Sequence, residues 1–279
     1  MDTASTDPFE RAAKAAGALA RLTGRDHHDV MIVLGSGWQQ AATVLGDGVD
    51  VAMADLPGFP TPSAGGHGAT VRSLAIGGKH VLCCFGRLHL YEGYEPSQVV
   101  HGVRTAAAAG CTSLILTNAA GSLRTDWPVG QVALLRDHIN LTGRSPLVGP
   151  HPPERFGSRF VDMSAPYDPA LRALARAADP TLDEGVYAGF LGPQFETASE
   201  VRMAGILGAH LVGMSSVMET IAAAHLGLRV VALSLASNLA AGLSGHPLSG
   251  EEVWAAARAA IPRLSATLAA VTEVVTGAA

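Results

Sequence analysis

Short apolar runs alternate with longer segments of helical periodicity along the chain, and this alternation limits the folds that the sequence can adopt. The candidate strands are 30–34, 80–85, 113–117, 132–135, 210–213 and 230–234. The candidate helices are 9–22, 96–109, 169–178, 198–207, 217–226 and 251–275, the last containing Pro262, which is expected to kink or split it. Strands that alternate with helices favour an α/β fold, with a central mixed, mainly parallel twisted sheet flanked by helices.

The length and composition of the chain indicate a single domain. The 279 residues are 48% hydrophobic and 15% charged, and no shift of composition or long linker divides them. We therefore expect one domain over residues 1–279, with residues 1–8 as a disordered N-terminal extension. Two irregular segments, 57–70 and 142–163, are long enough to predict functional or interface loops.

Charge and cysteine content exclude several classes of partner. The net charge of −5 and the presence of only two lysines, Lys14 and Lys79, argue against a nucleic-acid or anionic-membrane surface. Neither a signal peptide nor a membrane-spanning run is recognisable, so we expect a cytoplasmic protein. The three cysteines, two of them adjacent at Cys83 and Cys84, fit neither a disulfide framework nor a zinc site. They are expected to pack in the core, and no metal site is predicted.

The segment 86–94 places a cation, an imidazole and a phenol on alternate residues, Arg87, His89 and Tyr91, after an apolar run. In an extended chain alternate side chains share one face. The planar guanidinium of arginine can donate two hydrogen bonds to a phosphate-like anion. Histidine adds a further donor, and tyrosine adds a flat aromatic ring. This combination suits an anion lying beside a sugar. Taken alone, the fragment is equally compatible with the solvated face of a surface strand.

Small and polar residues follow several other candidate strands. Ligands of open α/β sheets bind outside the carboxyl ends of the strands, so these segments predict a common site. They are Gly35–Gly37, Thr117–Gly121, Gly213–Ser216 and Ser234–Asn238.

The segment 192–197 adds an aromatic ring beside a carboxylate, Phe195 and Glu196. The pair is suited to stacking on a heterocycle while accepting its N–H. Thr197 and Glu200 have the spacing of a capping box at the start of a helix. The alternative for Glu196 is a charge that complements the dipole of this helix.

In combination these segments resemble the trimeric-type purine nucleoside phosphorylases, over about residues 30–275. The matching motifs are GSGW at 35–38, GGHG at 65–68, GRLHLYEGY at 86–94, TNAAG at 117–121, RDHINLTGRSPL at 136–147, GPQFET at 192–197, VGMS at 212–215 and SN at 237–238. The resemblance implies the nucleoside phosphorylase fold and a pentosyltransferase of purine salvage. The implied reaction is reversible phosphorolysis of inosine, guanosine and their 2′-deoxy analogues. It also implies no cofactor besides the co-substrate phosphate, and a homotrimer with sites at the subunit interfaces.

The family's site residues carry over onto this sequence position by position. The phosphate site falls on Ser36, His67, Arg87, His89, the backbone N–H of Ala119, and Ser215. The ribose site falls on Tyr91 and Met214, with Phe160 contributed by a neighbouring subunit. The base site falls on Phe195, Glu196 and Asn238. The catalytic roles implied are those of His89, Glu196 and Asn238.

The resemblance also implies how the base is selected. Asn238 would donate to N7 of the departing purine, and Glu196 would accept N1–H of hypoxanthine or guanine. Adenine has an acceptor at N1, and leaving buried groups mispaired costs about 1–3 kcal/mol. We therefore expect inosine and guanosine to be preferred over adenosine. The related methylthioadenosine phosphorylases carry Asp where this chain has Asn238.

At one position the sequence departs from the family pattern, and other functions remain alternatives. Gly250 stands where the family often has a histidine that contacts the 5′-hydroxyl, and His246 is the nearest substitute. Tolerance of 5′-modified nucleosides is therefore expected. The alternatives are a methylthioadenosine phosphorylase, a nucleoside hydrolase, and a non-catalytic purine or phosphate sensor. A calcium-dependent hydrolase is disfavoured because no aspartate cluster is recognisable.

Overall fold

A mixed sheet forms the centre of the fold in the computed structural model, which describes residues 7–60, 62–65, 68–149 and 151–279. Its strands are β1 Val30–Val33, β2 Val49–Ala52, β3 Thr70–Ile76, β4 Lys79–Cys84, β5 Ser113–Ser122, β6 Val132–Asn140, β7 Asp183–Gly189, β8 Leu211–Gly213 and β9 Arg229–Leu239. The helices are α1 Pro8–Thr23, α2 Pro96–Val99, α3 His101–Ala108, α4 Pro169–Ala178, α5 Ala198–Ile206, α6 Val217–His225 and α7 Gly250–Gly277.

The strand order is β2-β3-β4-β1-β5-β8-β7-β6-β9, and β9 also pairs with β5. The strands β5, β8, β7, β6 and β9 therefore close into a ring, from which β1 to β4 extend as an open sheet. Strands β4, β1, β5 and β9 run parallel, as do β6, β7 and β8, whereas the β2–β3, β3–β4, β5–β8 and β6–β9 pairs are antiparallel. The predicted α/β sheet flanked by helices is present.

Two large hydrophobic cores cover the two faces of the sheet, and a smaller one includes Val201 and Ala204 of α5. One large core contains buried side chains of α1, α3 and α6, such as Leu19, Val103 and Ala222. The other contains side chains of α4 and α7, such as Leu171 and Leu264. Burial of these apolar faces is the main force that holds the helices on the sheet. Among the described helices, none is both long and apolar enough to cross a membrane.

Several element predictions need correction. Strands β2, β3 and β7 were not predicted, because β2 and β3 form an antiparallel edge with partly exposed residues and β7 begins with two acidic residues. Strands β5 and β9 run past their apolar halves, so Thr117–Gly121 and Ser234–Asn238 lie inside strands rather than after them. The predicted helix 96–109 is two helices, α2 and α3.

Helix α7 continues through Pro262, which was expected to kink or split it. Proline removes one backbone donor from the helix. Pro262 and Arg258, whose carbonyl loses that donor, are both exposed, so water can replace the missing hydrogen bond. Of the N-terminal extension expected at 1–8, residues 1–6 lie outside the described residues. Asp7 caps α1 by accepting a hydrogen bond from Phe9 N–H at 2.8 Å, and the helix begins at Pro8.

Two buried histidines make the stability of the fold sensitive to mild acid. Burial lowers the pKa of His28, with His80 adding to the effect, and burial also lowers that of His101, in each case from 6.5 to about 4. The unfolded chain binds more protons than the folded one between these values, so stability decreases as the pH falls through this window. Each histidine is expected to lower the free energy of unfolding by about 2 kcal/mol between about pH 7 and about pH 5.

Urea denaturation at these two pH values tests this expectation. His28→Gln should remove about 2 kcal/mol of the pH-dependent loss. His151→Gln, at an exposed histidine that is not among the groups acting on the pKa of His28, should leave the loss unchanged. A His28→Gln variant with the full pH dependence of the original chain would contradict the assignment.

Candidate active site

One cavity of about 340 Å³ collects all but two of the predicted site residues. Those that line it are Ser36, Arg87, His89, Tyr91, Ala119, Phe195, Glu196, Met214, Ser215 and Asn238. Side chains that sequence reasoning did not assign to the site also line it, among them Leu248, Val253 and Trp254. The cavity lies where the segments after β1, β4 and β8 meet β5, β9 and the first turns of α7.

The two remaining site residues are His67 and Phe160. His67 lies outside the described residues. Phe160 does not line the cavity of its own chain, and it is 89% exposed. The resemblance assigned Phe160 to a neighbouring subunit's site, and such an assignment requires an exposed side chain.

The Gly35–Trp38 motif holds Ser36 against β5. A Cβ at Gly35 would lie 2.3 Å from the carbonyl oxygen of Thr117, so only glycine permits this approach. The N–H of Gly35 donates to Oγ1 of Thr117 at 2.9 Å. The buried Trp38 indole N–H donates to the carbonyl of Asn118, also at 2.9 Å. These contacts hold the Gly35–Trp38 segment against β5, and Ser36 lines the cavity together with residues 118–120.

Arg87 reaches the cavity although its segment is not a strand. Strand β4 ends at Cys84, so the argument from alternating side chains does not apply to Arg87, His89 and Tyr91. The buried guanidinium is held on two sides instead. Its Nε donates to Oε1 of Glu219 at 3.0 Å, and its Nη1 donates to the carbonyl of Thr117. These two hydrogen bonds hold the guanidinium in one orientation in the absence of a ligand.

His89 and Tyr91 stack on each other around a short 3-10 turn, Leu90–Glu92. Their ring centroids are 4.7 Å apart and the rings are 15° from parallel. Nδ1 of His89 lies 3.0 Å from Oε1 of Glu92, which also accepts the His89 backbone N–H at 2.7 Å. Because a carboxylate only accepts, Nδ1 is the donor of this hydrogen bond and carries a proton.

Glu92 also anchors the loop that precedes β3. Its Oε2 accepts hydrogen bonds from the backbone N–H and the hydroxyl of Ser63, both at 2.7 Å, and from Ala64 N–H at 3.1 Å. Burial alone would raise the pKa of Glu92, but the hydrogen bonds from His89 and Ser63 outweigh it and hold the pKa far below its usual range. Sequence reasoning did not assign Glu92 a role. The sequence signal that could have identified Glu92 is its position three residues after a histidine assigned to the site.

Glu196 is a buried carboxylate, 7% exposed, in the wall of the cavity. Burial raises its pKa. Among the described residues, its Oε1 has no hydrogen-bond partner. Such an atom costs free energy unless a donor reaches it, so a ligand with an N–H group fits here. The capping box predicted for the next helix is confirmed, because Thr197 and Glu200 exchange hydrogen bonds of 3.2 and 2.7 Å.

Asn238 owes its position to a shift of register between β5 and β9. Ala120 pairs with Ala236, but Gly121 pairs with Asn238, which leaves Ser237 as an extra residue. The hydroxyl of Ser237 lies 2.9 Å from Oδ1 of Asn238, and Nδ2 donates to the carbonyl of Leu239 at 2.9 Å. These partners set the orientation of the amide. Nδ2 has two hydrogens, so it can donate to a ligand as well.

Comparison with known proteins identifies the family. Residues 29–273 match the family described as the Phosphorylase superfamily. A purine nucleoside phosphorylase from Cellulomonas sp is 52% identical to the chain, over 96% of this chain and 95% of that protein. The chain belongs to the nucleoside phosphorylase family. The predicted family and the predicted fold are thus both confirmed.

Two solved structures of nucleoside phosphorylases extend the comparison. The schistosoma purine nucleoside phosphorylase in complex with hypoxanthine has a TM-score of 0.88 and 31% identity, and the match covers 96% of this chain and 99% of that one. Isoform 2 of the Schistosoma mansoni enzyme, in complex with cytosine and ribose-1-phosphate, also has a TM-score of 0.88, with 30% identity and coverages of 96% and 98%.

In this nucleoside phosphorylase the last wall of the cavity is apolar. It is formed by Leu248, Gly250, Val253 and Trp254, none of which carries an ionisable group. A Cβ added at Gly250 would meet no atom within 4 Å. His246 does not line the cavity; it is exposed, with Nδ1 3.5 Å from Oε1 of Glu252. Over the described ranges, no group of three or more His, Cys, Asp or Glu side chains is arranged to hold a metal ion.

Proposed function

We propose that this cavity binds a 6-oxopurine nucleoside together with inorganic phosphate and catalyses reversible phosphorolysis. The products are the free purine and ribose 1-phosphate, or deoxyribose 1-phosphate from 2′-deoxy analogues. The observation that carries the proposal is the buried Oε1 of Glu196, an acceptor that faces the same cavity as the amide donor of Asn238. The predicted enzyme class is confirmed by relatives with 52% identity over nearly the whole chain.

Phosphate binds to the part of the cavity lining formed by Ser36, Arg87, His89, Ser215 and the backbone of Ala119. One fixed guanidinium, an imidazole, hydroxyl groups and a backbone N–H suit a phosphate dianion. His67 belongs to the same set by resemblance. The sugar lies on Tyr91 and Met214, so that its anomeric carbon is next to the bound phosphate.

The reaction breaks the N-glycosidic bond as a phosphate oxygen forms a bond to the anomeric carbon. Positive charge develops on the ribosyl group and is stabilised by the adjacent phosphate. The bonding electrons leave with the purine, and the negative charge that accumulates near N7 is stabilised by donation from Nδ2 of Asn238. Because this charge exists mainly in the transition state, the hydrogen bond lowers the barrier rather than only binding substrate.

The buried acceptor Oε1 of Glu196 determines which purine bases are preferred. Hypoxanthine and guanine present N1–H to Glu196, and guanine adds its exocyclic amine. Adenine presents a lone pair at N1, so the carboxylate would face an acceptor, at a cost of about 1–3 kcal/mol. Inosine and guanosine are therefore the preferred substrates. The amide at Asn238 in place of an aspartate favours this assignment over a methylthioadenosine phosphorylase.

The proposed assembly is a homotrimer in the cytoplasm, in which Phe160 closes the site of a neighbouring subunit. In support, Phe160 and Val148 are 89% and 83% exposed on the same long segment after β6. Arg159 Nη1 donates to the carbonyl of Gly149 at 2.9 Å, which brings these two apolar side chains to one part of the segment. Large exposed apolar residues of this kind are typical of an interface. Neither a nucleic acid nor a membrane is proposed as a partner.

The proposed function is tested by release of hypoxanthine from inosine, with and without about millimolar phosphate, the usual range of KM values. Release that depends on phosphate, with adenosine spared, is the expected result. Release without phosphate would indicate a hydrolase. Purine binding without turnover of any nucleoside would indicate a sensor.

The apolar wall at Gly250 leads to a prediction for the 5′-hydroxyl. The kcat/KM values for inosine and 5′-deoxyinosine are expected to agree within about tenfold, because the indole N–H of Trp254 is the one side-chain donor of this wall and a single hydrogen bond contributes about 0.5–1.5 kcal/mol. Gly250→His should increase the preference for inosine, since the added side chain enters open space, and Gly250→Ala serves as its control. A steep loss of activity with 5′-deoxyinosine in the original chain would contradict a relaxed pocket.

A further inference from the structure

Glu219 lies in the first turn of α6 and is 3% exposed. Its two carboxylate oxygens accept hydrogen bonds from two separate parts of the site. Oε1 accepts from Nε of Arg87 at 3.0 Å, and Oε2 accepts from the backbone N–H of Ser216, also at 3.0 Å. We propose that Glu219 is a positioning residue that holds two phosphate-binding elements, Arg87 and the Ser215–Ser216 turn, in one fixed arrangement.

The turn needs such a support because its backbone is strained. Ser216 has a φ of 65°, a conformation that residues other than glycine adopt rarely and at a cost. Besides Glu219, the side chain of Asn118 holds it, since Nδ2 of Asn118 donates to the Ser216 hydroxyl at 2.9 Å. Oδ1 of Asn118 in turn accepts from Ser234 at 2.6 Å. Ser215, which lines the cavity, is thereby oriented by groups on α6, β5 and β9.

The guanidinium of Arg87 needs the same support for a different reason. A guanidinium group binds phosphate well only when its plane is held in one orientation, because two of its N–H groups must point at phosphate oxygens at the same time. Nε is held by Glu219 and Nη1 by the carbonyl of Thr117. The carboxylate of Glu219 also neutralises the positive charge of Arg87, which is 5% exposed. A buried arginine without a counter-charge would be unfavourable before any phosphate arrived.

Glutamine cannot replace Glu219 in this role. A carboxylate accepts at both oxygens, whereas a carboxamide accepts at one end and donates at the other. Glu219→Gln can therefore satisfy either Arg87 or Ser216, and its NH₂ group then faces the other donor. The variant keeps the size of the side chain, so it tests the hydrogen bonds without opening a cavity.

The experiment measures steady-state rates with phosphate and inosine varied independently. Glu219→Gln is expected to raise the KM for phosphate at least about tenfold, the effect of losing a hydrogen bond to a charged group, and to change the KM for inosine less than about threefold. Glu219→Asp, which keeps two acceptor oxygens, should give an intermediate KM for phosphate. If Glu219→Gln is not recovered folded, the same pair of constants for Glu219→Asp decides the question.

Asp179→Asn is the matched control, because Asp179 is another buried carboxylate in an ion pair, 2.8 Å from Arg263. It lies at the end of α4 and outside the cavity. A similar rise in the KM for phosphate in Asp179→Asn would indicate general destabilisation and overturn the proposal. The proposal would also be overturned if the KM values of Glu219→Gln for phosphate and for inosine were both unchanged, or if both rose together. The inference rests on the proposed phosphate site, and absence of phosphate dependence in the original chain would overturn that function itself.

Discussion

Asn238→Ala is expected to lower kcat for inosine by about 10²–10³-fold, the usual effect of removing a donor to charge that develops in a transition state. The KM for inosine should change much less, because the hydrogen bond to N7 strengthens only as the base departs. Asn238→Asp should be impaired to a similar extent at neutral pH. It keeps the size of the side chain but presents an acceptor where the base also has a lone pair.

Steady-state kinetics of the two variants, with circular dichroism to confirm folding, provide the measurement. Asn140→Ala is the control, since Asn140 is exposed, lies at the end of β6 and does not line the cavity. Asn238→Asp with nearly full activity would show that the amide acts only as a structural group. The same conclusion would follow if kcat were kept and only KM rose in Asn238→Ala.

Glu196→Gln is expected to lower kcat/KM for inosine by about 10–100-fold, because a charged acceptor in a buried site is replaced by a neutral one. The loss should be larger for guanosine, which offers a second N–H group to the carboxylate. Activity with adenosine should change little or increase, because the mismatch between N1 and a carboxylate is removed. The discriminating quantity is the ratio of kcat/KM values for guanosine and adenosine.

The same carboxylate predicts a pH dependence. Burial raises the pKa of Glu196, so the group takes up a proton at a higher pH than an ordinary glutamate. The protonated form presents a donor to N1–H, and kcat/KM for inosine should therefore fall as the pH drops through this raised pKa. Glu196→Gln should abolish that acid limb. Glu200→Gln, four residues along the chain at an exposed capping position, should retain this limb but shift it to a lower pH, because the charge of Glu200 adds to the raised pKa of Glu196. Loss of the limb in Glu200→Gln would contradict the assignment.

The sequence allowed the fold class to be predicted because it depends on local patterns, and the resemblance to a family supplied ten residues that line the candidate cavity. Apolar runs such as Val30–Val33 and helical stripes such as that of α7 identify the buried elements directly. Motifs such as Gly35–Trp38 indicate a site only in combination with the other motifs, because a single turn of small residues carries little information by itself. The antiparallel edge strands β2 and β3 lacked such a pattern, since partial exposure interrupts their apolar residues.

Other features depend on contacts between distant segments and could not be read from the chain. Glu92 and Glu219 are ordinary helix- or turn-starting carboxylates in the sequence. Their roles become visible only because Glu92 meets Ser63 across 29 residues and Glu219 meets Arg87 across 132 residues. The grouping of Arg87, His89 and Tyr91 was predicted, but the reason given for it was wrong. A 3-10 turn, the ion pair of Arg87 with Glu219 and the hydrogen bond of His89 with Glu92 bring them together, rather than an extended strand.

The extra residue in β9 has a consequence for relatives in which the two strands pair regularly there. Since Ser237 has no partner on β5, Asn238 rather than Ser237 stands opposite Gly121. Loss of this bulge at unchanged chain length would place Ser237 opposite Gly121 and move every following side chain of β9 by one place. A homologue with a regular ladder here would keep all of its motifs and still present a different group to the purine. The register of β9 against β5 is therefore a determinant of substrate choice, in addition to the identity of residue 238.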